Sequence, residues 1–164
     1  MLGSDVKRGN ARLDAAQMWE RFAGAGKPLD EDGAWAFGGD PDGLAALVLA
    51  GTKTATSSAF PLYEAEGETL PKAGEHSVIL NGRAEAVCVV RTVRVNVVPF
   101  SQVDACHAYL EGEGDRSLAY WRAVHERFFA EAMEAEGLCF TQDMPVVLEE
   151  FEVVYREEEQ GCRF

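Results

Sequence analysis

The sequence predicts an α+β domain, with helices packed on a largely antiparallel sheet that can close into a small barrel. Three observations point there. Apolar periods of helical and strand type follow one another in the order helix, strands, helices, strand. Asn81-Gly82 separates two apolar runs, which is a strong hairpin signal. The chain of 164 residues has the length of one hydrophobic core.

Leu13, Ala16, Trp19, Phe22 and Ala23 recur at helical spacing, and Gly24, Gly26 and Pro28 end that pattern. Asp40 before Pro41 reads as an N-cap followed by proline at the first helical position. Leu44, Leu47 and Val48 then share a face, and Gly51 stands where a left-handed cap belongs. The chain passes directly into Thr52 to Ser58, a hydroxyl-rich stretch of strand formers. Residues 59–76, broken by Pro61, Gly67, Pro71 and Gly74, read as a long functional loop. Ser77 to Leu80, the Asn81-Gly82 turn of type I′, and Ala86 to Val98 form a hairpin closed by Pro99. Ser101 with Asp104 resembles a capping box that opens a helix toward Leu110. After Glu111-Gly112-Glu113-Gly114, Asp115 is expected to cap a longer helix that ends near Gly137 and aligns Leu118, Trp121, His125, Phe128 and Met133. Val147 to Tyr155 alternates as a strand, with Val147, Phe151, Val153 and Tyr155 on one face. The ends, polar before residue 13 and acidic at the C-terminus, read as loose.

The charge narrows the function. With 28 acidic and 15 basic residues the net charge is −13, which opposes attraction to nucleic acid or to an anionic membrane. Residues 51–100 are balanced, so a neutral or positive pocket belongs there. The four cysteines, Cys88, Cys106, Cys139 and Cys162, form no C-x-x-C pair, and no His or Cys spacing suggests zinc, so no metal and no cofactor are expected. Without an apolar leader or a long apolar run, the expected location is the cytoplasm, away from membranes.

One segment suggests chemistry. Gly51, Lys53 and Thr56 are spaced G-x-K-x-x-T at a helix-to-strand junction. Residues three apart on a regular strand face opposite ways, so Lys53 and Thr56 can meet only if Lys53 lies in the turn. There a desolvated amine can take the hydroxyl proton, or an ammonium can hold a phosphate or carbonyl oxygen. The alternative is a solvated turn lysine beside ordinary strand threonines. Glu111 and Glu113 are equally readable as solvated acids at a helix start. His125 reads as a hydrogen-bonded core or cleft-edge residue, while His76 and His107 have no distinguishing context. Trp35 and Phe37 either pack in the core or stack on a base. Tyr63 and Glu64 to Glu68 form a surface loop or a lid, and of Arg91 and Arg94 at most one can face a given pocket.

Gly51 to Ser58, with Trp35-Ala36-Phe37-Gly38 before it and Glu111 to Leu118 and Asp143 to Val147 after it, resembles the ASCH domain family over about residues 30–156. The resemblance implies residues 1–29 as an N-terminal segment with one helix, 30–156 as the domain, and 157–164 as an acidic tail. It implies a PUA-like β-barrel flanked by helices, with a cleft beside the G-x-K-x-x-T segment. Members of the family are associated with RNA binding, RNA processing, ribonuclease activity and, in some bacterial proteins, hydrolysis of the amide of N4-acetylcytidine. For the last activity the resemblance implies Lys53, Thr56 and Glu113 as catalytic residues, with Glu111 the rival for the third place. It implies a nucleoside or short RNA as ligand, with Trp35, Phe37, Gly51, Ser58, Glu111 and Arg116 as ligand contacts. Ser58 departs from the family's frequent arginine, which removes a bidentate anion contact. Three readings follow: a small amidohydrolase, an RNA-binding or RNA-cleaving domain, and a non-catalytic ligand module.

Overall fold

The computed structural model describes residues 12–158, so the expectations for residues 1–11 and for the tail beyond residue 158, Cys162 included, lie outside the described residues. The elements are α1 (Ala15–Ala23), β1 (Ala34–Ala36), α2 (Pro41–Leu49), β2 (Ala55–Ala59), α3 (Phe60–Glu66), β3 (His76–Leu80) and β4 (Ala86–Pro99). A 3-10 turn (Phe100–Gln102), α4 (Ala105–Glu111), α5 (Leu118–Ala135) and β5 (Pro145–Tyr155) follow. No helix among the described residues is long and apolar enough to cross a membrane.

The five strands form one sheet in the order β1-β3-β4-β5-β2. Only β1 and β3 pair in parallel; the other three pairings are antiparallel. The sheet curls strongly into a half-barrel, open between β1 and β2, in the α+β, PUA-like fold that the sequence predicted. Register shifts at Val89/Val90 and Thr92/Arg94 supply part of the bend along the long β4–β5 ribbon.

Helix α1 covers one face of the hairpin through Met18, Val78 and Val89. Phe37, Ala45, Val48, Ile79, Cys88, Val90 and Phe151 fill the other. Burial on both faces explains why this stretch of β4 reads as a continuous apolar run rather than an alternation. A third cluster, with Phe100, Trp121, Phe129 and Met133, fastens α5 to β2 and β5.

Several local expectations need correction. The 59–76 stretch holds α3, which begins with Pro61 in its first turn and ends at Gly67. Ala34–Ala36, for which no strand was expected, forms the short edge strand β1. The hairpin forms, but its connection is Asn81 to Glu85, with Ala84 rather than Gly82 at positive φ, so it is not a type I′ turn. Asp104, not Ser101, caps α4 by accepting from the His107 amide. Ser117, not Asp115, caps α5, while Asp115 accepts from the Ser117 amide. The buried face of α5 runs through Trp121, His125, Phe129 and Met133, leaving Phe128 exposed. On β5, Val153 is exposed and the inward set is Val147, Glu149 and Phe151.

Candidate functional site

Lys53 is positioned by the end of α2. Gly51 takes a φ of +76°, and the amides of Thr52 and Lys53 both donate to Leu47 O. The chain therefore turns back before β2 begins at Ala55, and Lys53 lies in the turn, the condition under which it and Thr56 can face one hollow. The Glu111–Glu113 side of the site approaches this turn closely because the residue between the two acids is glycine. A Cβ on Gly112 would lie 2.4 Å from Thr52 O.

The Lys53 side chain is 1% exposed. Its Nζ donates to Glu113 Oε1 at 2.9 Å and contacts Glu111 Oε2 and Glu111 O, each at 3.5 Å. It also lies 5.1 Å from the centre of the Phe37 ring. Both candidate acids thus meet the lysine: Glu113 makes the shorter contact, and Glu111 is the more deeply buried. No hydrogen bond joins Lys53 to the Thr56 hydroxyl among the described residues; the two share the cleft wall.

Glu111 is the centre of a buried network. Its Oε1 accepts from Trp121 Nε1 at 2.8 Å, from His107 Nε2 at 2.9 Å, and from the Ser57 hydroxyl. Its Oε2 lies 3.2 Å from His125 Nε2. Burial pushes this carboxyl up, but hydrogen bonds from His107 and His125 and the Lys53 charge outweigh it and hold Glu111 well below the usual range. Burial pushes His125 down, and the opposing hydrogen bond and charge of Glu111 raise it above its ordinary value. The His125 ring faces an acceptor on each nitrogen, Trp121 O at 2.9 Å and Glu111, which suits a protonated imidazole.

Ser57, His107 and Glu111 look like a nucleophile triad in composition but not in geometry. Ser57 Oγ lies 2.8 Å from His107 Nε2, and Glu111 contacts that same nitrogen. A triad acid orients the opposite ring nitrogen. Glu111, Glu113 and His125 place three ligand atoms within 4.8 Å of one another, the number and spacing that can hold a metal ion. The Lys53 ammonium hydrogen-bonds both carboxylates of that trio.

The cleft has two adjoining lobes that share Phe37, Gly38, Thr56, Ser57 and Phe128 as walls. The first, about 530 Å³, holds Lys53, Glu111, Glu113 and His125 and is faced by Leu44, Leu47 and Val124. The second, about 610 Å³, is faced by Trp35, Ser58, Tyr63, Thr92 and Glu149. Lys53 is the single Lys or Arg lining either lobe among the described residues.

The remaining sequence candidates are placed as follows. Trp35 and Phe37 meet edge to face at 4.9 Å; Phe37 is part of the core and lines both lobes. Ser58 Oγ is 2.7 Å from Tyr63 Oη. Gly51 acts through its turn and does not line the cleft. Arg116 does not line it either: its guanidinium stacks on the Tyr109 ring and donates to Tyr109 O and Thr52 O, so it braces the 111–116 loop. Arg91 and Arg94 are both exposed and pair with Glu152 and Glu150 outside the cleft. His107, Ser57 and Trp121 were not singled out as site residues. The spacing of His107 to Glu111 and of Trp121 to His125, four residues in each helix, is the signal that aligns them.

A family model described as ASCH domain matches residues 33–155. The crystal structure of an ASCH domain from Lactobacillus crispatus JV V101 is similar at 36% identity and TM-score 0.72, covering 75% of this chain and 79% of that one. Protein EF3133 from Enterococcus faecalis V583 is similar at 36% identity and TM-score 0.75, covering 84% of this chain and 85% of that one. A comparison with curated proteins returns no match.

Proposed function

The chain belongs to the ASCH domain family, and from that premise we propose that it is a metal-independent amidohydrolase of an acylated cytosine nucleoside such as N4-acetylcytidine. Family membership is compatible with an RNA-related role, and a modified nucleoside is an RNA-derived ligand. The observation that carries the proposal is a buried lysine held by two glutamates in a cleft that Thr56 also lines, with no other Lys or Arg in it among the described residues. A polyanion gains little from such a cleft, whereas an uncharged amide avoids its acidic walls.

The groups support a balanced reaction. Lys53 passes a proton to Glu113, 2.9 Å away, and the free amine then takes the proton of Thr56 as the hydroxyl oxygen attacks the acyl carbon. The tetrahedral intermediate collapses as Lys53 protonates the departing exocyclic nitrogen. This releases cytidine and leaves Thr56 acylated. Water, deprotonated through the same lysine, attacks the ester; Lys53 returns that proton to the departing Thr56 oxygen, acetic acid leaves, and Glu113 gives its proton back to Lys53. Glu111, fixed by its histidine and tryptophan donors, holds the lysine in place. Apolar side chains of Leu44, Leu47 and Val124 in the first lobe suit the acyl methyl.

The test is incubation with N4-acetylcytidine and chromatographic detection of cytidine, for the native protein and for Lys53→Ala and Thr56→Ala. Release of cytidine by the native protein alone, with both variants folded by circular dichroism, supports the proposal. Binding of single-stranded RNA with steep salt dependence, and no cytidine release, replaces it with an RNA-binding function.

A further inference from the structure

The second lobe carries side chains that the acyl transfer does not use. Glu149 on β5 is 8% exposed, lines this lobe, and accepts from Thr92 Oγ1 through Oε1 at 2.6 Å. Its Oε2 has no hydrogen-bond partner among the described residues. Strand register sets Glu149 directly opposite Thr56, so the two side chains rise from the same side of the sheet with Cβ atoms about 5 Å apart.

We propose that the second lobe is the base-recognition pocket for an unphosphorylated aminopyrimidine nucleoside, with the Glu149 carboxyl contacting the ring N3 and the exocyclic N4–H. The orientation rests on the amidohydrolase reading: the acyl carbon attacked by Thr56 is bonded to N4, so the N3/N4 edge falls at Thr56's cross-strand neighbour. Burial, with the Glu75 charge adding to it, raises the Glu149 carboxyl against the lowering effect of Thr92, which favours the protonated form. A protonated carboxyl offers a donor and an acceptor side by side. Thr92 donates to Oε1, which fixes that oxygen as the acceptor and leaves Oε2 to carry the proton. That pattern complements cytosine, whose N3 accepts and whose N4–H donates. Uracil presents the reverse. Trp35 and Tyr63 supply aromatic walls for a flat ring, and Glu31, Asp32, Glu66, Glu68 and Glu75 line the lobe without a basic residue, which disfavours phosphate.

Equilibrium binding of cytidine, uridine and cytidine 5′-monophosphate, followed by calorimetry, tests the assignment without turnover. Cytidine is expected to bind at least about tenfold more tightly than uridine, whose unmatched polar edge leaves buried groups unpaired, and than the monophosphate, whose charge the acidic lobe repels. Glu149→Met should abolish the preference for cytidine over uridine. Glu149→Gln, which keeps a donor beside an acceptor, should restore it to within about threefold. Equal binding of the three ligands, tighter binding of the monophosphate, or a Glu149→Met protein as selective as the native one overturns the proposal. Should Glu149→Met fail to fold, native selectivity and Glu149→Gln decide. If N4-acetylcytidine is not hydrolysed while cytidine preference depends on Glu149, the amidohydrolase reading fails and the pocket stands. If hydrolysis depends on Lys53 and Thr56 while Glu149→Met leaves KM and cytidine affinity unchanged, the pocket fails alone.

Discussion

Two sets of ion pairs in this molecule use the same charges in opposite surroundings. In the cleft, Lys53 and Glu111 are each 1% exposed and share their charges with Glu113, His107 and His125. On the outside of the β4–β5 ribbon, Arg91–Glu152 and Arg94–Glu150 bridge adjacent strands in open solvent. Water screens the outer pairs, so making or losing one changes little. The inner groups have given up hydration, and each depends on the others to stay charged. That dependence holds the lysine and its carboxylates in one hydrogen-bonded set, which the proposed proton transfers need and a surface ladder does not provide.

Lys53→Met strikes hardest at the buried set. It leaves two glutamates facing each other without their cation, and removing one partner from a buried set costs about 3–5 kcal/mol. The melting temperature is expected to fall by roughly 10 °C in a domain of this size. Cytidine release should fall by about 10³-fold or more, since both proton transfers pass through this group. Calorimetry and the nucleoside assay check the two effects separately; an unchanged melt would show that the buried set is not interdependent.

Thr56→Ala separates chemistry from stability. The hydroxyl is half-buried on the cleft wall and makes no hydrogen bond among the described residues, so the stability change should stay below about 1 kcal/mol. Activity should again drop by about 10³-fold or more, with Thr56→Ser retaining part of it, because only the nucleophile is lost. Thr56→Ala with near-native turnover would move the nucleophile elsewhere, to Ser57, which contacts His107 in the same cleft wall.

Titration gives a smaller effect with opposite signs on its two sides. Glu111 is held below the usual carboxylate value of 4.5, so its contribution is present above that pH and is lost as pH falls through the depressed value. His125 is raised above 6.5, so its contribution is full below that pH and is lost as pH rises through the raised value. Thermal melts should therefore peak between these limits, and His125→Gln should flatten the alkaline side while leaving the acid side. A melt that falls equally on the alkaline side in both proteins would uncouple His125 from the buried set.

Legibility in the sequence followed the range of the interactions. Helices α1, α2 and α5 and the β3–β4 hairpin were readable because caps, glycines and periodic apolar residues act within a few positions. Lys53, Thr56 and the two glutamates were singled out through spacing and family resemblance, and the structure brings Lys53 together with both acids. The four-residue spacing of His107 to Glu111 on α4 was legible, but Ser57 joins the pair only when α4 packs beside β2. Arg116 was expected as a ligand contact from the family resemblance, yet its positive φ of 64° turns it back onto Tyr109. Glu149 left a signal that was passed over: it stands at even spacing between Val147 and Phe151, a charged residue on the inward parity of a strand. A carboxyl placed there needs a partner or a role.

The smallest expected effect is also the one that best separates burial from contact geometry. Arg91 and Glu152 expose about half of each side chain, 48% and 49%, and the guanidinium donates to the carboxylate through two nitrogens. Both nitrogens reach the same oxygen, Oε1, and by contact alone the pair would rank with Lys53–Glu113. Solvent screening discounts it, and double-mutant cycles on such exposed pairs give roughly 0.2–1 kcal/mol. Arg91→Ala, Glu152→Ala and the double variant should therefore show a coupling in that range, shrinking further as salt is added. The cleft pairs should be far less sensitive to salt because ions cannot reach them. A coupling at Arg91–Glu152 as large and as salt-insensitive as that at Lys53–Glu113 would mean that burial is not what distinguishes the two regions, and the chemical role given to the buried lysine would lose its physical basis.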